Sequence, residues 1–194
     1  KVSFSVAIIA LSAKMAKADG VVTDTEIAAF KEIFEIPAHE QTNVARVFNL
    51  AKQDVAGFDA YARQILQIYQ HAPDILEDIM DGLFHIAKAD GVIHDNELAF
   101  IEEVGRIFAF EGQCFAAIKA RHMREGLGDP YDVLGADPSW SNFEIRKHYR
   151  HLMNENHPDR LIARGVPPEF VKIASDKTAT LNAAYGQLKL ERGL

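Results

Sequence analysis

The chain contains a single cysteine, Cys114, in 194 residues. One cysteine excludes an internal disulfide framework and suits a reducing compartment. Its apolar neighbours in CFAAI predict a buried thiol rather than a nucleophile. Long apolar runs are missing too. VAIIALSA, the longest near the start, halts at Lys14 and falls short of the about 20 residues that a membrane-spanning helix needs. It also lacks the small-residue cleavage site of a secretory signal, so it reads as a core helix. The chain opens on Lys1 rather than methionine, which predicts a missing upstream piece that could hold an anchor. Sustained apolar–polar alternation is absent, so no strands are expected. Positive charge is in deficit: 21 Lys and Arg stand against 28 Asp and Glu, a net charge of −7. An acidic chain of this kind is a poor candidate for nucleic-acid binding.

The deficit is unevenly spread. Residues 1–126 hold 12 basic and 19 acidic side chains, whereas residues 127–194 hold 9 of each. Two differently charged halves predict two modules, 1–126 and 127–194, with the boundary in the glycine- and proline-bearing REGLGDPYD, residues 124–132. Apolar residues recur at helical spacing in both. Phe4, Ile8, Leu11 and Met15 form one stripe, Ile27, Phe30 and Phe34 another, Leu98, Ile101 and Phe108 a third. The expected fold class is therefore all-α.

The first module repeats itself. KADGVVTDTE, residues 17–26, returns 71 residues later as KADGVIHDNE, residues 88–97, with seven of ten positions identical. Each copy lies between two apolar helices, which predicts a duplicated helix–loop–helix hairpin. Gly20 and Gly91 suit a left-handed helix end, and Val21 and Val92 are placed for the hydrophobic contact that follows. Thr23 and Glu26 have capping-box spacing; in the second copy Asp95 or Asn96 is available as the cap. The repeated acids Asp19, Asp24, Glu26, Asp90, Asp95 and Glu97 carry a second reading, in which the two hairpins bring them together on a divalent cation. Their spacing is not that of an EF-hand. These A-D-G-V-x-x-D-x-E loops resemble those of the TerB-like family over about residues 3–124. The resemblance implies an all-helical domain whose acidic loops bind a cation or an unidentified partner.

The second module opens with DPYDVLG, residues 129–135: Asp129 caps, Pro130 suits the first helical position and Gly135 closes a short helix. Ser141 or Asn142 caps the next helix, FEIRKHYRHLMNEN. Ile145, Tyr149 and Leu152 share its apolar face; Arg146, Lys147, Arg150 and His151 share the opposite one. Pro158 stops that helix. After the crossing LIARGVPPE, a long helix over about residues 167–190 repeats Leu181, Ala184, Tyr185 and Leu188. The expected product is an antiparallel hairpin with His157-Pro158-Asp159 at its tip.

Three chemistries fit that tip incompletely. His157 and Asp159 resemble half of a catalytic triad, but no activated nucleophile, Gly-x-Ser-x-Gly turn or oxyanion-hole glycine cluster accompanies them. His148, His151 and His157 lack the cysteines or carboxylates of a tetrahedral metal site. The basic face lacks the outward aromatics of a single-strand binder. The ordered set DPYDVLG, EIRKHYRHL, HPD and L-x-x-AY-x-x-L, residues 129–190, resembles the J domain of DnaJ-type co-chaperones. That resemblance implies no catalytic residue, no metal and no cofactor. It implies docking on the ATPase domain of a DnaK-type chaperone through His157, Pro158, Asp159, Arg146, Lys147, Tyr149, Arg150 and Arg160, with stimulation of the partner's ATP hydrolysis. Glu155 and Asn156 depart from the basic and aromatic residues usual before the HPD. The stretch NENHPDRLIARGVPPEF is similar to membrane-anchored DjlA-type co-chaperones, which implies a cytoplasm-facing protein held at the bacterial inner membrane by an upstream anchor.

Overall fold

The computed structural model describes residues 4–18, 20, 22–33, 41–123, 129–163 and 168–194, and every regular element among them is an α-helix. The chain divides into two compact units, Lys1–Phe110 and Glu111–Leu194. The first contains α1 (Phe4–Ala16), α2 (Asp24–Ile33), α3 (Gln41–Ala51), α4 (Phe58–Tyr69), α5 (Pro73–Ala87) and α6 (Asp95–Ile107).

Helix α1 is buried on all sides over residues 7–16, which its nearly unbroken apolar sequence requires. Ile8, Ile9, Leu11 and Met15 are all buried, and α3, α4, α5 and α6 pack around them. Burying each such side chain contributes roughly 1.5–3 kcal/mol. Lys14 does not end this helix. Its ammonium leaves the apolar wall by donating to the carbonyls of Asp54, at 3.0 Å, and Ala56, at 2.7 Å, in the turn before α4. A buried ammonium is tolerated there because fixed oxygens replace its water.

The repeat is the frame of this unit. The helices that follow the two loops, α2 and α6, begin at Asp24 and Asp95, which keeps the 71-residue offset of the sequence repeat. Each copy's second helix packs on the other copy's first, α2 on α5 and α6 on α1. Gly20 and Gly91 have φ of 101° and 95°, a region costly for any residue with a Cβ. Val92 does not make the expected hydrophobic contact; it is 61% exposed, because the turn aims it at solvent. Val21 and Phe34 lie outside the described residues.

The second unit contains α7 (Gln113–Met123), α8 (Pro130–Leu134), α9 (Asn142–Glu155), α10 (Pro158–Ala163) and α11 (Pro168–Arg192). Its core is Val133, Leu134, Ala136, Ile145, Leu181, Ala184 and Leu188, with Ala120 of α7 packed against it. Helix α7 packs with this unit, through Ala120 against its core. Gly135, at φ 64°, fastens the join: a Cβ there would meet the Ala117 Cβ at 3.3 Å. Cys114, expected to be buried, is exposed in the first turn of α7, whose buried positions are Ala117 and Ile118. The Arg192 side chain reaches from the end of α11 to the Tyr131 hydroxyl at 3.3 Å.

The hairpin expected between α9 and α11 carries an extra turn of structure. The sequence predicts a tip and then a crossing, LIARGVPPE, without helix, but Pro158 opens α10, and Leu161 within it is fully buried. Proline is suited to this first position because its missing N–H is needed by no partner there.

Trp140, the single tryptophan, packs on the second unit's core and reports on that unit alone. Ile145→Ala is expected to destabilise it by roughly 2–5 kcal/mol, read as a lower midpoint of Trp140 fluorescence in urea. Phe143→Ala, removing an exposed ring two residues away, is expected to cost under about 0.5 kcal/mol.

Candidate functional site

Helix α9 is fixed at its start by a capping box. The Ser141 hydroxyl accepts the Glu144 N–H at 3.3 Å, and the Glu144 carboxylate accepts the Ser141 N–H at 2.7 Å. The carboxylate also accepts the Ser141 hydroxyl, at 2.7 Å. These bonds from Ser141, the hydroxyl's first and the N–H's second, hold Glu144 below the usual carboxylate range.

The inner face of α9 locks the helix in rotation. Ile145 is fully buried, and Tyr149 and Leu152 pack on the core. The His148 Nε2–H donates to the Leu134 carbonyl at 2.8 Å, and its ring meets Trp140 edge-on. His148 is thus a structural residue of the α8–α9 join. Tyr149 stacks on Tyr185, with ring centres 3.8 Å apart and planes 6° from parallel, and donates its hydroxyl to Asn182 Oδ1 at 2.5 Å. Burial, with the Tyr185 phenol beside it, raises the Tyr149 phenol above its ordinary value. Tyr149, expected at the partner surface, therefore also holds α9 against α11. Ala184 is fully buried next to this stack, where a larger side chain would force the helices apart.

The outer face is consequently turned to solvent. Arg146, Lys147, Arg150 and His151 are all exposed on it. Phe143 heads the same stripe, 74% exposed, one turn before Arg146 and Lys147. Sequence reasoning passed over it, although its helical spacing to those residues was readable.

At the other end of the stripe α9 stops. Asn156 is buried and donates its side-chain amide to the Leu152 carbonyl at 2.7 Å. His157 then leaves helical geometry, and its carbonyl accepts the N–H groups of Arg160, at 3.0 Å, and Leu161, at 3.1 Å. Its ring nitrogen Nδ1 accepts the Asp159 N–H at 3.3 Å. Histidine is thus the N-cap of α10, and this bond sets the neutral tautomer that carries its proton on Nε2. The Asp159 carboxylate stands 3.8 Å from Nδ1, too far for a hydrogen bond. The His157 side chain is 59% exposed and that of Asp159 89%. Arg160, expected to face a partner, lies with Nη1 2.9 Å from Glu155 Oε1. In the sequence Glu155 stands out only as a departure from the usual basic residue; its spacing across the tip from Arg160 is the signal for this pair.

The acidic loops of the first unit are arranged differently. Glu26 and Glu97 are buried capping residues, accepting the N–H groups of Thr23, at 2.6 Å, and His94, at 3.0 Å. The second cap is His94, not Asp95 or Asn96, because α6 already begins at Asp95. Asp90 accepts the Val92 N–H at 3.1 Å and lies 3.4 Å from His94 Nε2, while Asp24 and Asp95 are exposed. Asp19 lies outside the described residues. Among the described residues, no group of three His, Cys, Asp or Glu side chains is placed to hold a metal ion.

A buried hairpin core, an exposed His-Pro-Asp tip and a cationic stripe running to it define the J-domain class. The family model for the DnaJ domain matches residues 129–192, and that for tellurite resistance protein TerB matches residues 5–120. The chain belongs to the TerB family over its first part and continues into a DnaJ domain, the DjlA-type order. It is 29% identical to co-chaperone protein DjlA of Photobacterium profundum, over 95% of this chain and 76% of that protein. It is 28% identical to co-chaperone protein DjlA of Coxiella burnetii, over 93% and 74%. With the Shewanella oneidensis protein of the same name the identity is 26%, over 95% and 76%. No solved structure matches.

The capping box makes a pH prediction. The folded-state carboxyl of Glu144 titrates below its unfolded value, so its contribution to α9 is present above the unfolded range and is lost as pH falls through the folded value. Ser141→Ala is expected to move the Glu144 carboxyl midpoint up toward the ordinary range in a carbon NMR titration, and to cost about 1 kcal/mol as a lost cap.

Proposed function

We propose that this protein is a co-chaperone whose J domain docks on a DnaK-type (heat-shock protein 70) chaperone and stimulates its ATP hydrolysis. The observation that carries this reading is the exposure of Arg146, Lys147 and Arg150 on the helix that leads into the tip, where His157 and Asp159 are exposed beside Pro158. The names of the DjlA relatives support the co-chaperone role. The stripe meets an acidic surface of the partner and speeds encounter, an effect that salt weakens. The tip then favours the hydrolysis-competent arrangement of the partner's ATPase; the J domain makes and breaks no covalent bond. A differential affinity of about 1.4 kcal/mol shifts that equilibrium tenfold. The capped His157 and Pro158 present the tip with little ordering cost on binding.

In the full-length protein this J domain works at the cytoplasmic face of the bacterial inner membrane. The resemblance to anchored DjlA-type proteins supports this placement. No helix among the described residues is long and apolar enough to cross a membrane, so a helical anchor would lie outside them.

His157→Gln is expected to leave the fold intact, by circular dichroism and Trp140 fluorescence, while abolishing stimulation of a DnaK-type ATPase. Equal steady-state ATPase rates with wild type and variant would overturn the mechanism. Arg146→Glu with Lys147→Glu is expected to raise the half-saturating concentration at least about tenfold, most strongly at low salt. An unchanged half-saturation would remove the stripe from the account.

A further inference from the structure

Resting on the docking reading above, we propose that Glu155 is a positioning residue, which through Arg160 holds the His157-Pro158-Asp159 tip in its docking conformation. Glu155 is the last residue of α9, and Arg160 lies in the first turn of α10. Their 2.9 Å ion pair closes across the tip and ties the ends of the two helices together. The three tip residues lie inside that closure. The same turn contains the Asp159 N–H bond to His157 Nδ1, which requires the first turn of α10 to stay folded against the imidazole.

Helix α10 has six residues and is too short to hold its own first turn. Leu161, fully buried, anchors its middle, and Glu155 anchors Arg160 beside the tip. The pair is better placed than an ordinary surface bridge. The Glu155 side chain is 24% exposed, and the chain between the partners is a capped turn, so pairing orders little that is not ordered already. The arrangement also reassigns Arg160. Its charge is turned toward Glu155, which leaves attraction of an acidic partner surface to Arg146, Lys147 and Arg150.

The test compares wild type, Glu155→Ala, Arg160→Ala and the exchange Glu155→Arg with Arg160→Glu, all in the whole chain. The exchange suits the helix dipoles, placing a cation at the end of α9 and an anion at the start of α10. Stimulation of a DnaK-type ATPase is read together with the His157 ring nitrogens in a long-range proton–nitrogen NMR spectrum. Both single variants are expected to lose roughly two- to fivefold of the stimulation, as expected from the loss of one partly buried ion pair, with the exchange returning to within about twofold of wild type. The spectrum is expected to show the Nε2–H tautomer in wild type and exchange, and averaging of the two nitrogens in the single variants. Loss of stimulation in Arg160→Ala alone, with no rescue by the exchange, would assign Arg160 to direct partner contact and overturn the proposal. Single variants equal to wild type in both measurements would overturn it as well. A wild-type chain that stimulates no ATPase sinks the docking reading instead, and the ring spectrum then decides the positioning by itself.

Discussion

Proline has no N–H and its ring clashes with the preceding helical turn, so α9 cannot run through Pro158. Most of what is distinctive in the second unit follows from that restriction. The chain must turn at His157, and the turn leaves N–H groups at the start of the next helix to be satisfied. The His157 carbonyl takes two of them, and its imidazole takes that of Asp159. His157 is therefore the cap that builds the turn it stands in. Leu161 then buries its side chain and pins α10. The N–H groups of Asp159, Arg160 and Leu161 thus find their partners within the turn itself.

The division of α9 into two faces has the same economy. His148, Tyr149 and Ile145 fasten one side through a hydrogen bond, a ring stack and complete burial. Because these contacts forbid rotation, the arginines and lysine on the other side are held in solvent as a directed field rather than a mobile fringe. Charges of this kind contribute little to folding and much to the rate and orientation of encounter. In the first unit the carboxylates serve the opposite end. Glu26 and Glu97 are buried because each replaces water at a helix start, and the same bond twice over sets the turn of each duplicated hairpin.

The all-helical class and the caps at Thr23, Asp129 and Ser141 were readable in the sequence because each depends on residues within four positions of one another; the repeat was readable as plain identity at a 71-residue offset. So were the two faces of α9, since the helical period alone separates Ile145 from Arg146 and Lys147. Other features were not readable in this way. Cys114 was expected to be buried from its neighbours' polarity, but burial depends on which side of α7 meets the core. Val92 and His94 depended on the direction in which a loop leaves its glycine. The packing of α7 on the second unit came from Ala117 and Ala120, small residues with little sequence signal.

By itself, the sequence determined where α8 and α9 start and stop, which sides are apolar, and that a proline-centred tip follows a basic helix. These are local matters of hydrogen bonding and period. Only the tertiary structure decided that the segment after the tip would be α10 with Leu161 as its anchor, that Tyr149 would lie flat on Tyr185, and that Arg160 would turn back to Glu155. Those outcomes depend on how separate helices pack, and the energy of packing is set by contacts between residues that the chain order does not place side by side.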